Sequence, residues 1–473
     1  MANTRTEKDS LGTKEIPENL HYGIQTLRAV ENFPISGLHA HPRFIDAYVL
    51  IKKAAALANA KVGELSAVHR DAIVKACDEI LSGKWRDQFP VDVFQMGAGT
   101  ALNMNLNEVL ANRANEILGE PKGSYKPLNP NDHVNRGQST NDTFPSAVRL
   151  AALLILKESL YAPLEGLEKS FEKKAVEFDG ILKSGRTHLQ DAVPIRLGQE
   201  FAAYAGCLKK CRLAIVERGK ALMELGLGGS AVGTGLNTAP GYREDIIKEL
   251  SELTGLPLVP AKDMREAMQS QRPIAELSSG LRNLSLEVTR IVNDLRLLSS
   301  GPTTGFGEIN LPATAPGSSI MPGKVNPSIL EMVNMVAFHV IGADLTTALA
   351  VQGGQLELNV MMPVAAFEIN FSITILGNSL KILSEKCVQG ITANEDRCRH
   401  YAENSMGLAT ALNAYIGYAK AAEVAKEAAR SGKSIPQVIR EKKILSEEEI
   451  RRVMDPFKMT EPGIPGKGCP TTK

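Results

Sequence analysis

Pro327-Ser328-Ile329-Leu330-Glu331-Met332-Val333-Asn334-Met335-Val336-Ala337-Phe338-His339-Val340-Ile341 is the stretch on which the fold turns. Its apolar residues, from Ile329 and Leu330 through Phe338 to Val340 and Ile341, occupy nearly every side of a helical wheel. A helix of that kind, read here as Pro327 to Val351, has no face for solvent. It needs neighbours all round, within a thick bundle or from other subunits. Pro145 to Phe178, Leu197 to Leu225, Ile274 to Ser299 and Pro363 to Cys387 also read as helices, well above the globular mean of ~11–12 residues. Shorter helices are expected over Phe44 to Gly63, after the turn-rich His39-Ala40-His41-Pro42, and over Ala67 to Leu81. Strand patterns are sparse. The expectation is a mainly α protein built on a central long-helix bundle.

With 473 residues the chain exceeds what one core holds. Beyond about Ile391 the composition shifts to short polar helices, and boundaries placed near Asn141 and Asn394 give an N-terminal, mostly helical domain (1–141), a central bundle domain (142–394) and a small helical C-terminal domain (395–473). Ser446-Glu447-Glu448-Glu449 has the pattern of a capping box. The closing GIPGKGCPTTK is too rich in glycine and proline to fold alone, so a flexible tail is expected.

Lys and Arg number 54 against 53 Asp and Glu, a net charge of +1, so no global field points to nucleic acid or to a charged membrane. The opening MANTRTEKDS is polar with no apolar run behind it, and no uninterrupted apolar run is long enough to span a bilayer. A cytoplasmic protein is expected. Cys77, Cys207, Cys211, Cys387, Cys398 and Cys469 lack paired CxxC spacing and the density of a disulfide framework; Cys207 and Cys211 share one helix face at i, i+4, which reads as packing rather than a metal half-site. The histidines show no HxxxH or HExxH pattern and no carboxylate cluster accompanies them, so no metal site is expected; no cofactor is expected either.

Chemistry concentrates in Pro316-Gly317-Ser318-Ser319-Ile320-Met321-Pro322-Gly323-Lys324-Val325-Asn326-Pro327. Glycine and proline set the backbone so that N–H groups can converge on an anion, and hydroxyls, an amine and an amide hang from it. A phosphate loop is excluded, because five residues separate Gly317 from Gly323 and Val325 follows Lys324. Gly226-Leu227-Gly228-Gly229-Ser230, through Gly233-Thr234-Gly235, lacks dinucleotide spacing and follows a predicted helix, so it reads as a turn between helices.

The loop resembles the signature of the aspartase/fumarase superfamily. Three further blocks carry the resemblance in the family's order: Gly97-Ala98-Gly99-Thr100 with Asn103-Met104-Asn105, His133-Val134-Asn135 through Gln138-Ser139-Thr140-Asn141-Asp142, and Gly185-Arg186-Thr187-His188-Leu189-Gln190-Asp191. Similarity runs from LGTKEIP near the start to KMTEPGI near the end. The resemblance implies a three-domain fold, a homotetramer whose central domains build one multi-helix core, and elimination from a small dicarboxylate to release fumarate. It makes Ser318 the base at the β-carbon. It places Lys324, Asn326 and Thr187 around the α-carboxylate, and Thr100, Ser139, Thr140 and Ser319 around the β-carboxylate. Asn141 and His188 fall near the amino group, with Lys324 and His188 in the catalytic set.

Elimination from aspartate piles negative charge onto the β-carboxylate, so preorganised donors are the main need. A serine acts as base only when its alkoxide is stabilised, and loop amides, Lys324 and closure of the loop are the means proposed for that. Two structural alternatives stand beside these roles. His188 can serve as a hydrogen-bond donor to Glu331, and Asn141 or Asp142 can cap the following helix. The blocks resemble the aspartate-deaminating ammonia-lyases more than fumarate hydratases, which usually resemble GSGT, QSSND and RTHTQDATP. Met361 before Met362-Pro363, Thr303 after Pro302, and Arg136 depart from the pattern and bear on substrate preference. A non-catalytic structural homologue is the reading from another class.

Overall fold

In the computed structural model, which describes residues 3–467, the long apolar segments form helices close to their predicted limits. β1 (Thr4–Asp9) and β2 (Gly12–Pro17) pair as an antiparallel hairpin that the sequence reading did not anticipate. Helices α1 (Ile24–Asn32), α2 (Pro42–Lys61), α3 (Ala67–Leu81) and α4 (Thr100–Ile117) follow. α5 (Thr140–Ile155) continues through a wide π-type turn at Leu156–Leu160 into α6 (Tyr161–Glu177). β3 (Leu182–Thr187) and β4 (Gln190–Arg196) form a second hairpin before α7 (Leu197–Lys220). Then come β5 (Glu224–Leu225), α8 (Tyr242–Thr254), β6 (Val259–Pro260), α9 (Met264–Gln269) and α10 (Arg272–Leu298). β7 (Ile309–Asn310), α11 (Ser328–Gln352), α12 (Met362–Lys386) and β8 (Thr392–Ala393) precede the short C-terminal helices α13 (Glu395–Asn404), α14 (Asn413–Ile416), α15 (Tyr418–Ser431), α16 (Ile435–Glu441) and α17 (Glu447–Val453).

Three expectations need correction. α5 starts at Thr140, not Pro145, because Ser139 caps it and the proline sits inside. Pro145 has no N–H, so the Asn141 carbonyl receives no helical bond from it. Gly226 follows a two-residue strand, β5, which pairs in parallel with β6. Within the chain α11 leaves Met335, Phe338, Leu345 and Leu349 64%, 58%, 65% and 59% exposed, which accords with the alternative of neighbours from other subunits as well as with the bundle. Their spacing of three, seven and four residues forms one apolar seam down the helix. α11 also has the length and mean hydropathy (1.4) of a membrane span, which the sequence reading had excluded. Its Asp344 nevertheless accepts from Ser278 Oγ (2.7 Å) and pairs with Arg282 (3.1 Å), an ion pair foreign to a lipid-facing helix.

The chain divides into two compact units. The first holds residues up to Ala162 with Cys211–Leu286 and Val336–Asn378. In it α2 packs against α3, α5 and α8. Phe44 and Phe144 meet edge to face with ring centroids 5.2 Å apart. Glu108 of α4 starts α1, accepting from the backbone N–H groups of Gly23 (2.9 Å), Gln25 (2.8 Å) and Thr26 (3.1 Å).

The second unit holds Pro163–Lys210, Glu287–Met335 and the residues from Ser379 onward. Phe171, Phe178, Phe201 and Tyr204 cluster in it, and β3 packs on α13. Leu408 to Met454 form a hydrophobic core of their own. Ser446 and Glu449 close the capping box expected there. Of the expected loose tail, Pro465 and Gly466 dock on Tyr415, whose hydroxyl donates to the Pro465 carbonyl (2.6 Å). Residues 468–473, with Cys469, lie outside the described residues.

Gly377 of α12 lets that helix sit against the wide turn at Leu156–Leu160, because a Cβ there would overlap the Ser159 carbonyl oxygen. Gly377→Ala is expected to cost about 1–3 kcal/mol of stability by overpacking. Urea denaturation checks this, and an unchanged midpoint would contradict the packing.

Candidate active site

In the first unit the expected residues gather at two helix starts. Ser139 caps α5, its Oγ accepting from Asn141 N (3.2 Å), and Asp142 Oδ1 completes the box by accepting from Ser139 N (2.9 Å). The capping role expected of Asn141 or Asp142 thus falls to Ser139, with Asp142 as its reciprocal partner. Asp142 Oδ2 also accepts from Gly228 N (3.1 Å) and Ser230 N (3.0 Å), and Asn141 Nδ2 donates to the Ala231 carbonyl (2.9 Å). The glycine-rich stretch after Gly226 is therefore moulded onto the start of α5. Burial pushes the Asp142 carboxyl up to about 7, against the pull of these three N–H donors.

Thr100 begins α4 directly after Gly99, whose φ is +82° and whose Cβ, if present, would overlap the Phe144 ring. That close approach sets the Gly97–Thr100 block against α5. Thr100 borders a cavity of about 490 Å³ that also takes in Lys8 and Arg28. Two adjoining helix starts favour an anion.

Behind them lies a residue the sequence reading missed. Lys52 of α2 is fully buried and donates to Asn103 Oδ1 (2.8 Å), Asn135 Oδ1 (3.0 Å) and Gln138 Oε1 (2.9 Å). Three acceptors consume the three N–H bonds that only an ammonium has, while burial pulls the group down to about 7. Tyr48 joins the network through Asn103 Oδ1 (2.9 Å) and Thr143 Oγ1 (2.8 Å), and Thr143 donates to the Ser139 carbonyl (2.9 Å).

In the second unit Thr187 ends β3, and His188 and Leu189 turn the hairpin with φ of 55° and 59°. Thr187 and His188 are exposed. No hydrogen bond joins His188 to Glu331 among the described residues, so that structural alternative is not formed within the chain. The loop from Pro316 to Pro327 has no regular structure yet closes on itself. Gly317 N donates to Lys324 O (2.8 Å), Asn326 Nδ2 donates to Gly317 O (2.6 Å), and Lys324 N reaches Met321 O (3.3 Å). Inside this closure Ser318 Oγ accepts two backbone N–H bonds, from Ile320 (3.3 Å) and Met321 (3.0 Å). Ser319 and Lys324 are exposed. Lys324 and Asn326 border an open cleft of about 860 Å³ with Arg296, Ser300, Asn310 and Asn394. Among the described residues no group of three or more His, Cys, Asp or Glu is placed to hold a metal.

Comparison with known proteins bears on this arrangement. The lyase family model matches residues 12–342, and the fumarase C C-terminus model matches residues 408–461. The chain belongs to the aspartase/fumarase superfamily. It is 50% identical to the aspartate ammonia-lyase of Bacillus subtilis, over 98% of this chain and 97% of that protein. It is 47% identical to the aspartate ammonia-lyase of Escherichia coli, over 98% of both chains. Among solved structures it resembles a cobalt-bound fumarate lyase:delta crystallin from Brucella melitensis (TM-score 0.93, 48% identity, 97% of this chain and 100% of that one). It also resembles the class II fumarase of Schistosoma mansoni (TM-score 0.94, 35% identity, 97% of this chain and 99% of that one).

Within this superfamily frame, the blocks around Asn103, Asn135 and Gln138 are held by a group that the motifs do not name. Lys52 sits on a helix of alanines and aliphatics, IKKAAALANAK, and its inward-facing cation was the one available signal. Asp142→Asn is expected to loosen both the box and the 228–230 turn, a loss of roughly 1–3 kcal/mol. A carboxyl raised in the folded state takes up a proton on folding between its unfolded and folded values, so its contribution is full at low pH and is lost as pH rises through about 7. The stability difference between wild type and variant should therefore shrink from about pH 4 to about pH 7. Urea titrations across that range measure it, and a widening difference would contradict the buried carboxyl.

Proposed function

We propose that the chain is an ammonia-lyase that converts L-aspartate reversibly to fumarate and ammonia. The observation that carries this reading is near 50% identity to aspartate ammonia-lyases over almost the whole chain, against 35% to the class II fumarase. Ser318 Oγ, as the alkoxide, takes the proton from the β-carbon and becomes the hydroxyl. The C–H electron pair moves into the β-carboxylate to give an aci-carboxylate, and collapse of that dianion breaks the bond from the α-carbon to the protonated amine, which leaves with the C–N electron pair as ammonia. The two N–H groups on Ser318 Oγ support this role, since they lower the cost of negative charge on a hydroxyl that is otherwise a poor base.

Lys324, Asn326 and Thr187 receive the α-carboxylate in this reading. Thr100, Ser139, Thr140 and Ser319 receive the β-carboxylate, and Asn141 and His188 the amino group. The scheme requires no cofactor. We further propose a cytoplasmic homotetramer with a three-part division near Asn141 and Asn394. The seam of Met335, Phe338, Leu345 and Leu349 supports the assembly, because copies packing along it would cover the helix that the chain leaves open. The separate core of Leu408 to Met454 supports the C-terminal part.

Ultraviolet absorbance of fumarate tests the reaction. L-Aspartate should give it faster than L-malate; faster release from malate would favour a hydratase, and silence with both a non-catalytic homologue. Ser318→Ala should lower kcat by about 10³-fold or more while substrate still protects against unfolding, and retention of most activity would remove Ser318 as the base. Sedimentation should give four times the chain mass, with Leu345→Lys driving the protein to smaller species; a wild-type monomer would refute the assembly.

A further inference from the structure

Lys183 and Arg186 stand three apart on β3, and in a regular strand such residues point to opposite faces. A β-bulge between Ser184 and Arg186 resets the alternation, so both cations turn to the same partner. That partner is Glu308, which is 0% exposed. Arg186 Nη1 reaches both its carboxylate oxygens at 3.0 Å, and Lys183 Nζ lies 3.4 Å from Oε2. Lys183 also donates to Glu200 Oε1 at 2.7 Å, so two cations and two carboxylates balance in a buried cluster. The Arg186 guanidinium carbon lies over two rings, 4.3 Å from the Phe306 centroid and 5.3 Å from the Tyr401 centroid.

The backbone around Glu308 is fixed as firmly as its side chain. Glu308 N donates to Leu298 O (2.8 Å), and its carbonyl accepts from Asn394 N (2.8 Å). It directly precedes β7, the strand from which the chain runs on to the 316–327 loop. Thr187 and His188 follow Arg186 immediately, in the exposed tip of the hairpin. One buried carboxylate therefore sets the aim of a strand whose tip bears expected substrate contacts. Glu308 and Lys183 are buried at the centre of this charge-matched cluster, with Arg186 and Glu200 partly exposed at its edge, and loss of one member leaves an uncompensated buried charge.

We propose that Glu308 is a positioning residue for substrate binding, acting through Lys183 and Arg186 on the tip residues Thr187 and His188. Neither its carboxylate nor the two cations need touch the substrate. The inference rests on the proposed role of the hairpin tip in holding the α-carboxylate and amino group.

The test is steady-state kinetics of the full-length protein with L-aspartate, comparing wild type, Glu308→Gln, Glu308→Asp and Arg186→Lys, with thermal midpoints recorded in parallel. Glu308→Gln should raise KM by between about tenfold and about a hundredfold, with a smaller effect on kcat, as mis-set contacts remote from the chemistry do. Glu308→Asp, which keeps the charge, should recover part of that loss. Should Glu308→Gln fail to fold, Arg186→Lys carries the test, since it preserves the charge balance while removing the guanidinium contacts to Glu308 and to the Phe306 and Tyr401 rings; its KM should still rise severalfold. A lowered thermal midpoint with KM unchanged in the folded variants would overturn the proposal and leave the cluster a purely structural element. A wild type inactive on both aspartate and malate would instead overturn the reading beneath it, and the proposal with it.

Discussion

A hydroxyl asked to carry negative charge needs donors fixed in place before the charge arrives, and the closed loop around Ser318 supplies them. Two backbone N–H groups already point at its Oγ, and they stay there because Gly317 is clamped to Lys324 and Asn326. Donors that are set in advance cost no reorganisation at the moment of reaction, which makes them effective stabilisers. The clamp depends on the absence of a side chain. A Cβ at Gly317 would overlap the Lys324 carbonyl oxygen and stand 2.7 Å from Asn326 N. The proposed chemistry is thus rooted in one glycine and three hydrogen bonds.

The remaining signature blocks are held by buried charge rather than by apolar packing alone. Lys52 ties Asn103, Asn135 and Gln138 together, Asp142 ties α5 to the 228–230 turn, and Glu308 ties β3 to the base of β7. Apolar cores tolerate rearranged packing at modest cost, whereas a buried ion that loses its partners costs about 3–5 kcal/mol. Directional, expensive contacts suit segments that must hold exposed hydroxyls and amides within a fraction of an ångström.

The helical architecture was largely legible because long apolar periodicity survives any tertiary context. α3 falls on its predicted limits, and α10, α11 and α12 lie within about two residues of theirs, the usual uncertainty of helix ends. The start of α5 was misread because proline was taken as a boundary, while the Ser139–Asp142 box starts the helix a turn and a half earlier. The β3–β4 hairpin escaped notice because its turn uses His188 and Leu189 in left-handed conformation in place of the Asn-Gly or Asp-Gly that advertises such turns. Motif blocks pointed to the loop, the hairpin tip and the two helix starts. They did not point to Lys52 or Glu308, whose partners lie far along the chain, where no local pattern records the pairing. The open seam on α11 was foreseen only as a choice between bundle and subunit neighbours, because a sequence does not say which chain covers a helix.

The most direct measurement is the turnover of Gly317→Ala against that of Gly323→Ala, each with its thermal midpoint. Gly323 has nothing within 4 Å of its would-be Cβ, so that variant reports only the strain of a positive φ in the same loop. If the preset donors on Ser318 make it a base, Gly317→Ala should lose about 10²–10³ in kcat with its midpoint near wild type, and Gly323→Ala far less. Near-normal turnover in Gly317→Ala would show that the clamp is dispensable and would contradict the account.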